Sequence, residues 1–208
     1  MKTLPGVSIL NYGVGNLGSI CNMFRKLAVP VAVATTPAEV DAAQRLILPG
    51  VGAFDHGMQA LMARGLVDPI RAAADRGTPL LGICLGMQLL AESSAEGQMS
   101  GLGLVSGRCE RFIATAEHPI RVPHMGWNTV SLNRADPLFP HDGREWRFYF
   151  THSYHLLGDS ADVVGRCVHG VEFTAAIARK NVMGVQFHPE KSHRFGMELL
   201  RHFGALPC

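Results

Sequence analysis

The chain has 208 residues, enough for one domain with a substantial core and too few for two ordinary domains. Apolar residues make up 47% of it and the net charge is +2, which argues against a nucleic-acid or acidic-membrane surface and favours a small-molecule role. No apolar run approaches the length of a membrane span, and residues 1–10 lack the apolar core of a secretory signal, so we expect a cytoplasmic protein.

The first hundred residues alternate short apolar, β-branched runs with segments of helical periodicity, which is typical of an α/β fold. Strands are expected at 7–10, 31–34, 45–48 and 79–83, and helices at 16–27, 54–64, 67–75 and 85–91. Crossover helices between such strands predict a mostly parallel, doubly wound sheet flanked by helices.

After Gly101, short alternating or aromatic segments predict additional antiparallel strands in the C-terminal half. These strands are expected at 110–113, 146–150, 162–168 and 173–179, followed by an apolar strand at 182–187 and a closing helix at 195–203. The chain has no internal repeat or low-complexity linker, so we expect residues 1–208 to form a single domain.

A glycine pattern follows the first expected strand, where Gly13, Gly15 and Gly18 form the GxGxxG spacing of a dinucleotide-binding turn. The second expected strand continues into VATT and lacks the acidic residue that would hold a ribose; the next acidic residue is Glu39. We therefore favour a tight turn whose glycines allow close packing, with nicotinamide or flavin binding as the minor alternative.

Cysteine and histidine spacing predicts neither a disulfide framework nor a metal site. The five cysteines are odd in number, scattered and without a CxxC pair: Cys21, Cys84, Cys109, Cys167 and Cys208. Five histidines likewise show no ligand spacing: His118, His124, His141, His155 and His169. We expect no metal ion, no other cofactor, and mostly reduced, buried thiols.

Cys84 is the exception among the cysteines, because residues 82–86 read GICLG, with the G-x-nucleophile-x-G spacing of a nucleophile elbow between a strand and a helix. The flanking glycines relieve crowding around a strained residue, and a helix N-terminus favours a thiolate. The backbone N–H of Leu85 would point to where an oxyanion forms. The pattern predicts a catalytic cysteine.

The base for this nucleophile is expected at the end of the last strand, in the segment VQFHPE at 185–190. His188 could take the thiol proton and return it to a leaving amine, while Glu190 could orient the imidazole. A histidine before proline at a strand end can also be purely structural, but its pairing with the elbow favours the catalytic interpretation.

Two of these segments, GICLGMQ at 82–88 and GVQFHPEKS at 184–192, resemble the class I, triad-type glutamine amidotransferases. Four more are similar to the glutaminase subunits of imidazole glycerol phosphate synthase: NYGVGNLGS at 11–19, LPGVGAF at 48–54, PHMGWN at 123–128 and YFTHSY at 149–154. The resemblance implies that Cys84 attacks the side-chain amide of glutamine, that His188 protonates departing ammonia and then activates water, and that Glu190 orients His188.

The resemblance also implies an oxyanion strand at 49–52, in which the N–H of Val51 joins that of Leu85 after a peptide flip that the neighbouring glycines permit. The implied substrate-binding residues are Gly50, Gly52, Gln88, Glu96, Ser153 and Tyr154. A carboxylate such as Glu96 suits the ammonium group of glutamine, although a solvated surface charge is the alternative.

The implied partner is a cyclase subunit with a (βα)₈ barrel, which forms a heterodimer with this chain and receives ammonia through a channel. The candidate contact residues are Asn11, Tyr12, Asn16, Met125, Trp127, Tyr149 and Lys191. Trp127, in a Gly-flanked polar segment, suits an interface anchor, although a partly buried core residue is the alternative.

Two other functions remain open. The same glutaminase chemistry could serve a different acceptor synthase, one that aminates a sugar or a nucleotide. A catalytically idle, amidotransferase-like binding protein is the other alternative, and the intact set of Cys84, His188 and Glu190 argues against it.

Overall fold

We analysed a computed structural model of the chain, which describes residues 6–114, 119–140 and 143–208. Two of the histidines considered above as metal ligands, His118 and His141, lie outside these ranges. So do the first five residues of the segment considered as a secretory signal.

Strands and helices alternate through the first hundred residues, and strands dominate the rest. The helices are α1 (Leu17–Lys26), α2 (Pro37–Asp41), α3 (Phe54–Ala63), α4 (Val67–Asp75), α5 (Leu85–Leu89) and α6 (His193–Gly204). The strands are β1 (Val7–Leu10), β2 (Val31–Ala34), β3 (Leu46–Gly50), β4 (Leu80–Cys84), β5 (Ser93–Ser94), β6 (Gly107–Arg111), β7 (His124–Leu132), β8 (Trp146–His152), β9 (Tyr154–Gly158), β10 (Val163–His169), β11 (Val171–Arg179) and β12 (Val182–Val185).

The main sheet has nine strands in the order β2-β1-β3-β4-β12-β11-β10-β7-β8. The first five of these run parallel to one another. The remaining four continue the sheet with antiparallel pairings, and β5, β6 and β9 form a smaller second sheet. The predicted α/β class, with a parallel half first and antiparallel strands in the C-terminal half, is confirmed.

Helices cover both faces of the parallel strands and bury a separate apolar cluster on each face. Neighbouring residues of β3 show the division, because Ile47 packs with Phe24 of α1 and Leu200 of α6, whereas Leu48 packs with Leu61 of α3. Successive side chains of a strand point to opposite faces, so each parallel strand contributes to both clusters. This arrangement is the doubly wound one.

The parallel strands bring their carboxyl ends to one edge of the sheet. Gly50 at the end of β3 pairs in register with Cys84 at the end of β4. On the other side, Ile83 pairs with Val185, the last residue of β12. Loops that follow such strands converge at this edge, where open α/β sheets bind their ligands.

Strand β7, one of the two longest described strands, is not predicted by the sequence pattern, for a physical reason. Its polar residues His124 and Asn128 lie on the inner face, while Met125 and Trp127 are exposed on the outer face. The usual alternation of buried apolar and exposed polar residues is therefore reversed. The short helix α2 and strand β9 were also missed, and β12 ends two residues before the predicted boundary.

None of the helices in the described part of the chain is long and apolar enough to cross a membrane.

A glycine in α6 allows this helix to pack on the turn that follows β12. A Cβ at Gly196 would overlap the backbone carbonyl oxygen of Pro189. We expect Gly196→Ala to lower the free energy of unfolding by about 1–3 kcal/mol, because one of the two backbone segments has to move.

Gly18 in α1 provides the matched control, since no atom lies within 4 Å of a Cβ at that position. Gly18→Ala should raise the free energy of unfolding by up to about 1 kcal/mol through its higher helix propensity. Urea unfolding measures both variants. Equal stabilities for the two would contradict the packing argument.

Candidate active site at the carboxyl edge of the sheet

Cys84 is the last residue of β4 and the N-cap of α5, with φ 53° and ψ −110°. This region of backbone dihedral space is unfavourable for any residue other than glycine. The glycines on either side are required by packing, because a Cβ at Gly86 would overlap the Leu48 carbonyl oxygen and one at Gly82 would lie 2.7 Å from the Gly86 oxygen. The chain thus has the strand, turn and helix of a nucleophile elbow, with the thiol at its tip.

His188 and Glu190 follow β12 and form a buried pair. Nδ1 of His188 lies 2.7 Å from Oε1 of Glu190, and their side chains are 1% and 4% exposed. Since a carboxylate accepts, Nδ1 carries a hydrogen. The His188 backbone is also held, because its N–H donates to Tyr149 O at 2.9 Å and its carbonyl accepts from the Ser192 hydroxyl at 2.6 Å.

The surroundings of His188 favour its charged form. Burial lowers the pKa of His188, but the neighbouring Cys84 and the hydrogen-bonded Glu190 outweigh burial and raise the pKa to about 9. Nε2 of the ring has no hydrogen-bond partner among the described residues. The thiol of Cys84 lies 3.9 Å from Thr151 O and 3.7 Å from Gln186 Nε2. The ring is therefore held by Glu190 at one nitrogen, and its other nitrogen is free to exchange a proton with Cys84 or with substrate.

Gln186 is a site residue whose role the segment VQFHPE did not predict. It is fully buried, and its Nε2 donates to Cys84 Sγ at 3.7 Å while its Oε1 accepts from Gln88 Nε2 at 3.0 Å. One feature of the sequence could have identified Gln186: it is a polar amide in an otherwise apolar strand end. It also lies two residues before His188, so both side chains are on the same face of the extended chain.

The predicted oxyanion strand lies directly beside the elbow. Gly50 packs so closely that a Cβ would lie 2.8 Å from the Gly86 nitrogen, and Gly52 has φ +99°, a conformation that favours glycine. Val51, between them, is exposed. The structure brings Val51 and Leu85 to the same pocket as Cys84.

This pocket measures about 460 Å³, which is within the range of small-ligand sites. Its lining includes Val51, Gly52, Cys84, Leu85, Gln88, Glu96, Pro123, Thr151, His152, Ser153, Tyr154, His188 and Lys191. Thus Cys84, His188, both oxyanion residues and every predicted substrate-binding residue except Gly50 meet around one cavity, with Glu190 buried behind His188.

Glu96 and Gln88 line this cavity and carry acceptor atoms. Oε2 of Glu96 accepts from the N–H of Phe54 at 2.8 Å, the first residue of α3, where the helix dipole favours a negative charge. Gln88 uses its amide nitrogen on Tyr154 O and on Gln186, each at 3.0 Å, so its Oε1 is left as an acceptor. The Glu96 carboxylate is therefore half-buried and held by the backbone of Phe54, and it is not a freely solvated surface charge.

Four of the predicted contact residues lie together on one face. Met125 and Trp127 are 63% and 41% exposed on the outer side of β7, and Tyr149 of β8 pairs in register with Trp127. The Lys191 ammonium lies 5.7 Å from the centre of the Tyr149 ring, while Trp127 stacks on His193 with ring centres 5.6 Å apart. We call Met125, Trp127, Tyr149 and Lys191 the aromatic face.

The three contact residues predicted near the amino terminus have different positions. Asn16 is exposed and caps α1 by accepting from Ser19 N at 3.3 Å. Asn11 is half-buried and accepts from Gly13 N at 3.2 Å.

Tyr12 is corrected by the structure, which places its side chain inside the protein at 1% exposure and not on the surface. Its hydroxyl donates to Pro49 O at 2.6 Å, so it holds the base of the oxyanion strand. Burial raises the pKa of Tyr12 far above its usual range. The glycine turn at 13–15 packs against the same strand, because a Cβ at Gly15 would lie 3.2 Å from Pro49 Cβ.

Within the described ranges, no three His, Cys, Asp or Glu side chains are grouped in a way that could hold a metal ion.

Known proteins are similar to this chain along nearly its whole length. The family model for class I glutamine amidotransferases matches residues 8–205. The imidazole glycerol phosphate synthase subunit HisH of Moorella thermoacetica is 48% identical over 96% of this chain and 94% of that protein. The protein of the same name from Sulfurimonas denitrificans is 44% identical over 95% of this chain and 96% of its own length.

Solved structures show the same fold at lower identity. A structure of PurLQS from Thermotoga maritima superposes with a TM-score of 0.72 at 21% identity, covering 98% of each chain. A crystal structure described as a glutamine amidotransferase gives a TM-score of 0.72 at 17% identity, covering 95% of this chain and 96% of the other.

The raised pKa of His188 predicts how stability depends on pH. The pKa is about 6.5 in the unfolded chain and about 9 in the folded one, so the protonated ring stabilises the fold below pH 6.5. This stabilisation is lost as the pH rises from about 6.5 through 9. Glu190→Gln removes one cause of the raised pKa. The decrease in the free energy of unfolding between about pH 6.5 and 9 should therefore be smaller in this variant by about 1 kcal/mol.

Urea unfolding at several pH values between 6 and 9.5 measures this difference. Glu145→Gln is the matched control, because Glu145 accepts only an exposed hydrogen bond from the Thr129 hydroxyl among the described contacts. It should keep the pH dependence of the wild type. If the free energy of unfolding of Glu190→Gln depended on pH as it does in the wild type, Glu190 would not be what stabilises the charged form of His188.

Proposed function

This chain belongs to the class I glutamine amidotransferase family, and we infer that it is the glutaminase subunit of imidazole glycerol phosphate synthase. It releases ammonia from glutamine for a partner subunit, in histidine biosynthesis. The observation that supports the chemistry best is the strained Cys84 in a pocket beside His188, whose ring is held by Glu190 at 2.7 Å. The family match over residues 8–205 supports a single domain across 1–208.

Ammonia is released in the first half of the reaction. Sγ of Cys84 attacks the side-chain carbonyl carbon of glutamine, with the thiol proton on Nε2 of His188. The carbonyl oxygen becomes an oxyanion, for which the backbone N–H of Leu85 is the first donor. His188 then donates its proton to the amide nitrogen, the C–N bond breaks, and ammonia leaves a glutamyl thioester on Cys84.

Water completes the cycle in the second half. The neutral His188 removes a proton from water, and the resulting hydroxide adds to the thioester carbonyl. Collapse of this intermediate breaks the C–S bond, which releases glutamate and regenerates the Cys84 thiolate beside the protonated His188. Glu190 accepts the Nδ1 hydrogen throughout and stabilises the charged ring.

The second oxyanion donor is the N–H of Val51, after rotation of the peptide that joins it to Gly50. Tyr12 supports this assignment, because its hydrogen bond to Pro49 O holds the chain just before the rotating peptide. Gly52, on the far side, already has a positive φ. A movement confined to one peptide can therefore switch the donor on without disturbing β3.

The acceptors in the pocket fit the ammonium group of glutamine. Glu96 supplies a carboxylate and Gln88 supplies its Oε1, and both residues line the cavity. An ammonium group carries only donors, so two acceptors, one of them charged, match it better than they match a neutral amide.

The partner is a cyclase subunit with a (βα)₈ barrel, and the two chains form a heterodimer through the aromatic face. Apolar and aromatic residues exposed together are typical of interface centres. Lys191 belongs both to this face and to the pocket lining, so a partner seated there would lie beside the site where ammonia is released.

Removing the nucleophile tests the proposed activity. In a mixture with cyclase and its ribonucleotide substrate, Cys84→Ala should lower glutamate release from glutamine at least about 10³-fold, since no thioester can form. Cys21→Ala is the matched control, because Cys21 is 5% exposed against 6% for Cys84 but lies on α1 and does not line the pocket. Glutamate release by Cys84→Ala at the wild-type rate would refute the mechanism.

The same assay tests the choice of partner with the wild-type chain. If cyclase and ribonucleotide failed to stimulate its glutamate release, another acceptor synthase would be favoured.

Removing the central side chain of the aromatic face tests the interface. Trp127→Ala should weaken binding to the cyclase subunit about 30-fold, because it truncates the largest exposed aromatic group on that face. Met62→Ala is the control, since Met62 is also exposed but lies on α3 and outside the face. Titration calorimetry measures both affinities. Equal affinities would place the interface elsewhere.

A further inference from the structure

A chain of hydrogen-bonded side chains runs from β7 to the backbone of Tyr154, and one of its members, His152, lines the pocket. Nδ1 of His152 lies 2.8 Å from Tyr154 O, and Nε2 of His152 lies 3.0 Å from Nδ1 of His124. Nε2 of His124 lies 3.2 Å from Nδ2 of Asn128, which also donates to Val168 O at 2.8 Å. Neither histidine is used in the proposed reaction.

The contacts permit one arrangement of hydrogens for two neutral rings. A carbonyl oxygen only accepts, so His152 donates from Nδ1 and its Nε2 must accept from Nδ1 of His124. Nε2 of His124 then accepts from the Asn128 amide. The orientation of that amide is independently determined, because its Oδ1 accepts from Thr129 N at 2.8 Å. Both histidines are therefore Nδ1–H tautomers.

The surroundings keep both rings neutral. His152 and His124 are 6% and 4% exposed and pack against Phe112, Phe150 and Phe173. Burial, aided by the neighbouring histidines and opposed by the hydrogen bond to Tyr154, lowers the pKa of His152 to about 3. Burial, followed by the charge of His169, lowers the pKa of His124 to about 4.

The end of this chain holds a wall of the pocket. Tyr154 O accepts from His152 and also from Gln88 Nε2 at 3.0 Å, so both of its lone pairs are used. Ser153 O accepts from Phe112 N at 3.0 Å. The carbonyls of this segment therefore serve to position it, and His152 aligns Ser153 and Tyr154 with Gln88 on the substrate side.

We propose that His152 and His124 are positioning residues for glutamine binding, which as neutral Nδ1–H tautomers hold the Tyr154 carbonyl and so place Ser153, Tyr154 and Gln88 around the substrate. The inference rests on the proposed function, because the wall concerned is that of the glutamine pocket. The expected effect is on KM and not on kcat, since these groups hold the part of glutamine remote from the reacting amide.

Two substitutions at His152 separate the hydrogen bond from the bulk of the ring. His152→Phe keeps an aromatic ring and loses the donor, and should raise KM for glutamine about tenfold with kcat changed less than about threefold. His152→Asn places an amide nitrogen near the position of Nδ1 and should return KM to within about threefold of wild type. Glutamate release is measured in the complex with cyclase and ribonucleotide.

His155→Phe is the matched control for a change within the same cluster. His155 is buried and stacks on Phe112 with ring centres 4.5 Å apart, but its Nδ1 has no hydrogen-bond partner in the described residues. It should keep the wild-type KM. The proposal is overturned if His152→Phe keeps the wild-type KM, if His152→Asn gives no rescue, or if His155→Phe raises KM equally.

Nitrogen-15 NMR of the wild-type chain tests the tautomers without glutamine. Both rings should show a protonated Nδ1 and an unprotonated Nε2 at pH 7, and should keep that pattern down to about pH 5. Protonation at Nε2, or titration near pH 6.5, would overturn the proposal. A wild-type complex that released no glutamate would instead overturn the proposed function, while the NMR result would still decide the tautomers.

Discussion

The close packing of three backbone segments at the carboxyl edge of the sheet is the constraint on which the active site depends. Gly50, Gly82 and Gly86 each lie so near a neighbouring backbone that a Cβ could not be accommodated without movement. The chain after β4 must therefore turn within one residue, and that residue, Cys84, takes a positive φ. The strain that presents the thiol follows from packing that only glycine permits.

Buried polar side chains next to the glycines fix the positions of the residues that line the pocket. Gln186 links Cys84 to Gln88, and Gln88 links in turn to the carbonyl of Tyr154. Each of these groups is buried or partly buried, so losing one partner would leave another polar atom unsatisfied at a cost of about 1–3 kcal/mol. These hydrogen bonds therefore favour one arrangement of the pocket over looser alternatives.

The parts of the site that could be predicted from the sequence are short contiguous segments with a characteristic residue spacing. The elbow around Cys84 and the segment from His188 to Glu190 are each contiguous, and their residue types limit what they can do. The hydrogen-bond network at the pocket wall joins β7, the end of β8 and the start of β9, and its members His124 and His152 are 28 residues apart in the sequence. Ordinary patterns do not reveal such pairings, and in β7 the reversed polarity conceals the strand itself.

That reversed polarity connects the two surfaces of β7. A strand places alternate residues on opposite faces, so a strand that turns His124 and Asn128 inward must turn Met125 and Trp127 outward. The hydrogen-bonding residues behind the pocket and the apolar residues of the aromatic face are thus covalent neighbours on one extended segment. Any partner that shifted the register or tilt of β7 would move both together, because a strand cannot move one set of side chains and leave the other in place.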